Sequence, residues 1–266
     1  MTFRLTFLGT GSSGGVPRLG NQWGACDPAD PKNRRRRCAV LVERFGPRGT
    51  TSVLVDTPPD LRDQLLEMRS THIDGVLFTH DHADHTHGID ELRVLAFLMK
   101  RRIDAYMDAA TRATLFERFR YCFEQKPGSA YPAILTAREL VAGVAVTIDG
   151  AGGPVTALPI LQDHGETTSL GFRFGRLVYS PDIAGAPEPS RPYFEGLEVM
   201  IVDALRVMPH PAHFSLKQAL AWIERFKPER ALLTHMHVDF DYATLKADLP
   251  PHIEPAYDGL QIIFSG

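Results

Sequence analysis

The chain has little cysteine. Its 266 residues include three, Cys26, Cys38 and Cys122, too few and too scattered for a disulfide framework. It has no large excess of one charge either. The net charge is −3 and the isoelectric point is near 6.4, which excludes a global basic field for nucleic acid but leaves room for a local basic patch. No apolar run reaches bilayer-spanning length. The N-terminus turns polar and glycine-rich within nine residues, so no signal-peptide core is expected. Repeats, low-complexity tracts and domain linkers are absent from the sequence. What is present is a hydrophobic fraction of 44%, enough for a sizeable core. The expectation is one domain over residues 1–266, reduced, soluble and cytoplasmic, with no membrane partner.

The informative stretch is Thr79-His80-Asp81-His82-Ala83-Asp84-His85. A short apolar run at 75–78 precedes it and reads as a buried strand, while residues 88–92 read as the start of a helix. On a strand-to-helix turn, period two points His80 and His82 to one side. The tighter turn then brings Asp84 and His85 to a second point. That suits two adjacent cations. Three His and two Asp within six positions are more than loop solubility requires.

Strands are predicted at 3–8, 38–43, 52–55, 155–161, 170–174, 177–179, 197–202 and 231–234. Gly9, Gly11 and Gly14 match a dinucleotide fingerprint, but Gly15-Val16-Pro17 opens no helix and no strand ending in an acid follows, so that reading is rejected. Residues 21–37 read as a long loop. Its arginine run, 34–37, reads as a solvated flank, with a phosphate-attracting rim as the sharper alternative. Helices are predicted after Pro58 and Pro59, over 111–125, and from the capping box Ser215-Leu216-Lys217-Gln218 to Pro228. The apolar stripe of 111–125 reads as core or subunit interface. Residues 149–154 read as a turn between two halves, and Asp258-Gly259 as a hairpin turn. Five strands end on a polar residue suited to metal work, Asp56, His80, Asp182, Asp203 and His235, and His164 closely follows a sixth. Strand ends are where sheets hold chemistry.

The pattern H-x-H-x-D-H, with a later His, Asp and His, resembles the metallo-β-lactamase superfamily over nearly the whole chain. The resemblance implies an α+β fold, a four-layer αβ/βα sandwich. It implies one metal on His80, His82 and His164, a second on Asp84, His85 and His235, and Asp182 between them, with Asp56 orienting a ligand. A closer resemblance is to phosphoribosyl cyclic phosphate phosphodiesterases. It rests on Leu8-Gly9-Thr10-Gly11 with Gly15-Val16-Pro17, on Arg36-Arg37-Cys38, Leu92-Arg93 and Ala256-Tyr257-Asp258-Gly259, and on His213 before a helix. That family carries a cysteine cluster for a structural zinc in its early loop; here Cys26 stands alone. Two divalent ions per chain are therefore expected, with the loop held by Trp23, Asn21 and the arginines. Nitrogen and oxygen ligands fit Zn or Mn.

The implied activity is metal-dependent phosphoric diester hydrolysis of a small, cyclic or linear, ribose or nucleotide phosphodiester. Two cations would neutralise phosphate charge and make hydroxide available near pH 7. Candidate catalytic residues are Asp84 and His213, the latter as general acid. His72, His210 and His252 read as solvated, and His87 and His237 as flanking. The alternatives are a tRNA 3′-end processing type nuclease, which lacks a visible docking arm, and a non-catalytic carrier, which would tend to lose ligands. Di-iron redox relatives carry an acid where His82 stands. The expected partner is a small phosphodiester. Nucleic acid stays open without being favoured, and a homodimer is expected.

Overall fold

The computed structural model describes residues 2–265. Its strands form two seven-stranded sheets. The first half supplies β1 (Thr2–Gly9), β2 (Ala39–Gly46), β3 (Gly49–Val55), α1 (Leu61–Glu67), β4 (Gly75–Leu77), α2 (Ala83–Thr86), α3 (Leu92–Met99), β5 (Ile103–Met107), α4 (Ala109–Phe123) and β6 (Leu135–Glu139). The second supplies β7 (Val146–Ile148), β8 (Val155–His164), β9 (Thr167–Phe174), β10 (Leu177–Ser180), β11 (Val199–Asp203), α5 (Leu216–Phe226), β12 (Arg230–Thr234), α6 (Tyr242–Asp248), β13 (Ile253–Pro255) and β14 (Gln261–Ser265). The sheet orders are β14-β1-β2-β3-β4-β5-β6 and β13-β12-β11-β10-β9-β8-β7.

Three apolar clusters make the layers. Between the sheets, Leu5, Phe7, Val42 and Val55 meet Phe172, Tyr179, Ile201 and Leu232. Period two along each strand sends the alternate side chains outward. On the first sheet these are Leu41, Leu54 and Val76, covered by Leu61 of α1, Leu92 of α3 and Leu115 of α4. On the second they are Val178, Met200 and Leu233, covered by Ala219 and Ile223 of α5 and Leu245 of α6. Helix, sheet, sheet, helix is the sandwich expected from the sequence. The capping box is present, with Ser215 accepting from the Gln218 amide and the Gln218 side chain accepting from Ser215. Among the described residues no helix is long and apolar enough to cross a membrane.

Three local readings are corrected. The turn at 149–154 joins β7 to β8, antiparallel neighbours in one sheet; the chain has already passed to the second sheet before β7. Asp258-Gly259 closes no hairpin, since β13 pairs with β12 and β14 crosses over to pair with β1. The arginine run is no solvated flank. Arg35 is 1% exposed and donates to the Phe240 carbonyl at 2.7 Å. Arg36 pairs with Asp258 and Glu67, and Arg37 with Asp60. These carboxylates occupy the guanidinium groups of Arg36 and Arg37; of the four arginines, Arg34, over the Trp23 ring, has no side-chain hydrogen bond or ion pair among the described residues. The stripe of 111–125 belongs to the core. Leu115, Cys122 and Phe123 are buried, and Phe116 and Phe119 pack against the same cluster.

Candidate metal centre

β3 and β4 run parallel in one sheet, as do β10, β11 and β12 in the other. Their carboxyl ends therefore lie at common edges, where α/β sheets bind ligands. β9 lies antiparallel between β8 and β10, so β8 also ends at that edge, and His164 is its last residue. All seven side chains expected as ligands gather there. His80, His82, His164 and Asp182 bring one donor atom each within 4.8 Å of one another, and Asp84, His85 and His235 do the same.

Asp182 joins the two groups. Its Oδ1 lies 3.1 Å from His85 Nε2 and 3.5 Å from His235 Nε2. Its Oδ2 lies 3.8 Å from His80 Nε2 and 3.7 Å from His164 Nε2. One oxygen thus faces each donor group. The Asp182 carboxylate is 2% exposed, and the backbone beneath it is pinned. Gln162 donates to the Pro181 carbonyl and Ser169 to that of Asp182.

The imidazoles are aimed from behind. Asp56 Oδ2 accepts from His85 Nδ1 at 2.7 Å and also takes the Thr79 hydroxyl. The Ala212 carbonyl accepts from His164 Nδ1 at 2.7 Å. Each such bond fixes the ring's orientation and points Nε2 at the centre. Asp56, Asp182 and His235 have φ of 66°, 49° and 58°. This left-handed backbone costs an L-residue roughly 1–2 kcal/mol, an outlay that clusters at functional sites.

The buried polar atoms at the centre lack partners of their own. His80 Nε2, His85 Nε2, His235 Nε2 and Asp182 Oδ1 are buried without a hydrogen bond. Buried polar groups are otherwise satisfied, so the donor sets fit divalent cations. Charge tells the same story. Burial drives His80 well below the usual histidine range and His164 down to about 4, so both are neutral, the form that ligates. Burial alone would also lower His235 and His85, but Asp182, Asp84 and their neighbours override it. His235 rises to about 9 and His85 well above its ordinary value. For Asp84 and Asp182, burial would raise the carboxyl, yet the surrounding imidazoles hold both well below the usual carboxylate range.

His213 lies beside this centre. Its ring stacks on His235 at 4.7 Å and meets His164 edge-on at 4.7 Å. Asp203 Oδ2 accepts from His213 Nδ1 at 2.7 Å, which turns Nε2 away from Asp203. The sequence put Asp203 at a strand end without a role; its partner emerges only when the loop after β11 folds back. His210, expected to be solvated, lies 5.1 Å from His213 ring to ring. His87 is exposed and packs on Phe119, and His237 is held by Arg18 and Asp239. Gly9-Thr10-Gly11 packs tightly against the segment before β2 and the end of β12. A Cβ on Gly9 would sit 2.0 Å from the Arg37 carbonyl, and the Met236 amide donates to Thr10, which locks the loop beside His235.

Packing and hydrogen bonds hold the early loop. Cys26 packs with Val16, Val238 and Trp23, and its thiol donates to the Phe240 carbonyl at 3.2 Å. Trp23 Nε1 donates to Asn21 at 3.0 Å, as the sequence suggested.

Two αβ layers with a His/Asp centre at their shared edge define a class, and the comparisons agree. A family model described as a beta-lactamase superfamily domain matches residues 51–236; the chain belongs to the metallo-β-lactamase superfamily. Within it, the chain is similar to a solved structure described as a new diphosphatase from the PhnP family. That likeness has 33% identity and a TM-score of 0.89, over 99% of this chain and 98% of the other. The short form of human tRNase Z shares the fold at 18% identity and a TM-score of 0.61, covering 97% of this chain and 98% of that one. A curated octanoyltransferase of Porphyromonas gingivalis is 28% identical over 98% of this chain. The chain spans about half, 51%, of that protein's length.

Proposed function

We propose that the chain is a dinuclear metal-dependent phosphodiesterase acting on a small, cyclic or linear, ribose or nucleotide phosphodiester. The observation that carries this reading is Asp182, whose two oxygens face two separate donor groups. In it, His80, His82 and His164 would hold one cation and Asp84, His85 and His235 the other, with Asp182 offering one oxygen to each set. Zn and Mn both suit nitrogen and oxygen donors without sulfur. Such ions supply charge neutralisation for a phosphate and an acidified water.

The chain's own residues do the rest. His213 donates a proton from Nε2 to the departing oxygen. Asp203 keeps the Nδ1 proton in place and stabilises the imidazolium before transfer, as a buried carboxylate does for a catalytic histidine. Asp56 and the Ala212 carbonyl fix the imidazoles, so little reorganisation is needed. The likeness to a PhnP-family diphosphatase supports a substrate with a phosphoryl linkage and brings diphosphate esters into the set to be tested.

The experiment is a panel of cyclic ribose phosphates, linear dinucleotides, nucleoside diphosphate esters and a precursor tRNA. Each is assayed with chelated enzyme and after addition of Zn or Mn. Metal-dependent turnover of a small diester is expected. Cleavage of the precursor tRNA alone would transfer the chain to the nuclease reading, and inactivity on all would leave the carrier reading.

A further inference from the structure

His210 belongs to no motif and to neither donor set, yet it stands beside the metal centre. The rings run outward in series. His213 stacks on His235 and meets His164, and His210 lies beyond it, 5.1 Å from His213 and tilted by 50°. The loop 206–213 holds this arrangement. Arg206 Nε donates to the Met208 carbonyl at 3.1 Å and Nη2 to that of Pro209 at 2.9 Å. Pro209 and Pro211 flank His210 and fix φ on either side of it. At the ends of the loop the Leu205 amide donates to the Phe214 carbonyl, and that of Leu216 to Arg206.

The His210 ring is itself set. The Ala212 amide donates to His210 Nδ1 at 3.2 Å. A ring nitrogen that accepts carries no proton, so the imidazole is neutral and its proton sits on Nε2. Nε2 has no hydrogen bond among the described residues, and the ring is half-buried. Burial, with His213 and Arg206 nearby, also holds His210 below the usual histidine range. The loop thus presents a fixed, open donor next to the candidate general acid.

We infer that His210 is a specificity-determining residue, whose Nε2–H donates to the hydroxyl next to the departing oxygen on a leaving ribose. Granting the phosphodiesterase reading above, on which this rests, the substrates narrow to those in which O3′ departs and a 2′-hydroxyl stands beside it. The order of the rings places the contact. With the phosphate at the donor sets and His213 at the departing oxygen, the leaving half continues past His213, where His210 stands. Charge selects a sugar over a second phosphoryl group, which would call for a cation. Arg206 is the one Lys or Arg from 203 to 213, and two of its donors are folded back onto carbonyls. Val207 and Met208 of the same loop are 58% and 66% exposed. A neutral donor among apolar side chains suits a sugar hydroxyl, since such sites take orientation from a few placed polar groups.

Adenosine 3′,5′-cyclic phosphate and the dinucleotide ApA, each against its 2′-deoxy counterpart, test this with Zn- or Mn-loaded enzyme; a 5′-phosphate product shows that O3′ departed. Wild type should prefer the ribo substrate by about threefold to tenfold in kcat/KM, the size of one hydrogen bond to a neutral group where water competes. His210→Ala should fall to the deoxy level on the ribo substrate, with the deoxy rate and metal content kept. Two variants separate the donor from the shape of the loop. His210→Gln carries an amide donor near the place of Nε2 and should recover the preference. His210→Asn keeps an acceptor for the Ala212 amide but is too short to donate there, and should behave as His210→Ala. Equal losses on ribo and deoxy substrates that Asn repairs would make His210 a loop-shaping residue and overturn the inference. So would a ribo preference that survives in His210→Ala. Bis(p-nitrophenyl) phosphate, which has no sugar, is assayed alongside. Metal-dependent turnover of it, without turnover of or preference for the ribo substrates, would overturn the role of His210 and leave the phosphodiesterase reading standing; no turnover of any diester would overturn both.

Discussion

Removing His213 should separate chemistry from metal binding. Its imidazole is anchored through Nδ1 to Asp203 at 2.7 Å, and only 11% of the side chain is exposed. A positioned general acid contributes roughly 10²–10⁴ in rate. His213→Ala should therefore lower turnover of a diester with an alkoxide leaving group by about that factor. With p-nitrophenolate, which departs without a proton, the loss should shrink to a small fraction of it. Asp203→Asn keeps the volume but replaces a charge-assisted hydrogen bond worth about 1.5–3 kcal/mol. That corresponds to roughly 10–150-fold on the slow diester, with the same dependence on leaving group. Asp203→Asn should keep its metals, because Asp203 Oδ1 lies 3.7 Å from His235 Nδ1, beyond hydrogen-bonding range; His213→Ala should keep them too if His213 acts on substrate and not as a ligand. The assay is kcat on the two ester types together with elemental analysis. Equal losses on both would refute the acid role. Loss of an ion from His213→Ala would make His213 a ligand instead, with Asp182 and His235, a set its position also allows.

Three more outcomes follow from the same geometry. Asp182→Ala should deplete both cations at once, since one oxygen serves each donor group; two fully retained ions by elemental analysis would exclude bridging. Loading the stripped protein with Zn or Mn at pH 7 should release protons. His235, held near 9 by its carboxylates, carries a proton there that a cation must displace, so apparent affinity should rise with pH until about 9. Calorimetry in buffers of different ionisation enthalpy measures this, and zero release would remove both His235 and His85, which is also raised, from the ligand set. The three thiols should resist a disulfide reagent in the native protein at pH 8 and react on unfolding. All are buried, and burial pushes Cys122 up to about 12 and Cys38 higher still. Cys26→Ser should leave the metal content unchanged.

The clustering of the candidate donor side chains was legible in the sequence because they are local or end recognisable strands. His80, His82, Asp84 and His85 fall within six positions. His164, Asp182 and His235 each follow an apolar run that can hardly be anything but a buried strand. The four layers were legible for the same reason, since period-two runs alternate with capped helices. Short edge strands were not. Leu135–Glu139 and Val146–Ile148 carry no apolar run, and only their neighbours' hydrogen bonds make them strands.

Pairing across the fold decided everything else. Asp258-Gly259 looks like a hairpin turn because turn chemistry is local, while the choice of sheet for β14 depends on the free edge of β1. The arginine run looks solvated because charge usually is. Yet Asp60, Glu67 and Asp258 come from distant segments to meet it. Asp203 is one more strand-end carboxylate until His213, ten residues on, folds back to 2.7 Å. The sequence by itself determined which residues could bind a cation and which faces would be buried, because both depend on residue type and spacing along the chain. Which carboxylate serves which histidine was decided only by the tertiary structure. Those partners are chosen by the packing of two sheets, and no local pattern encodes a distance between them.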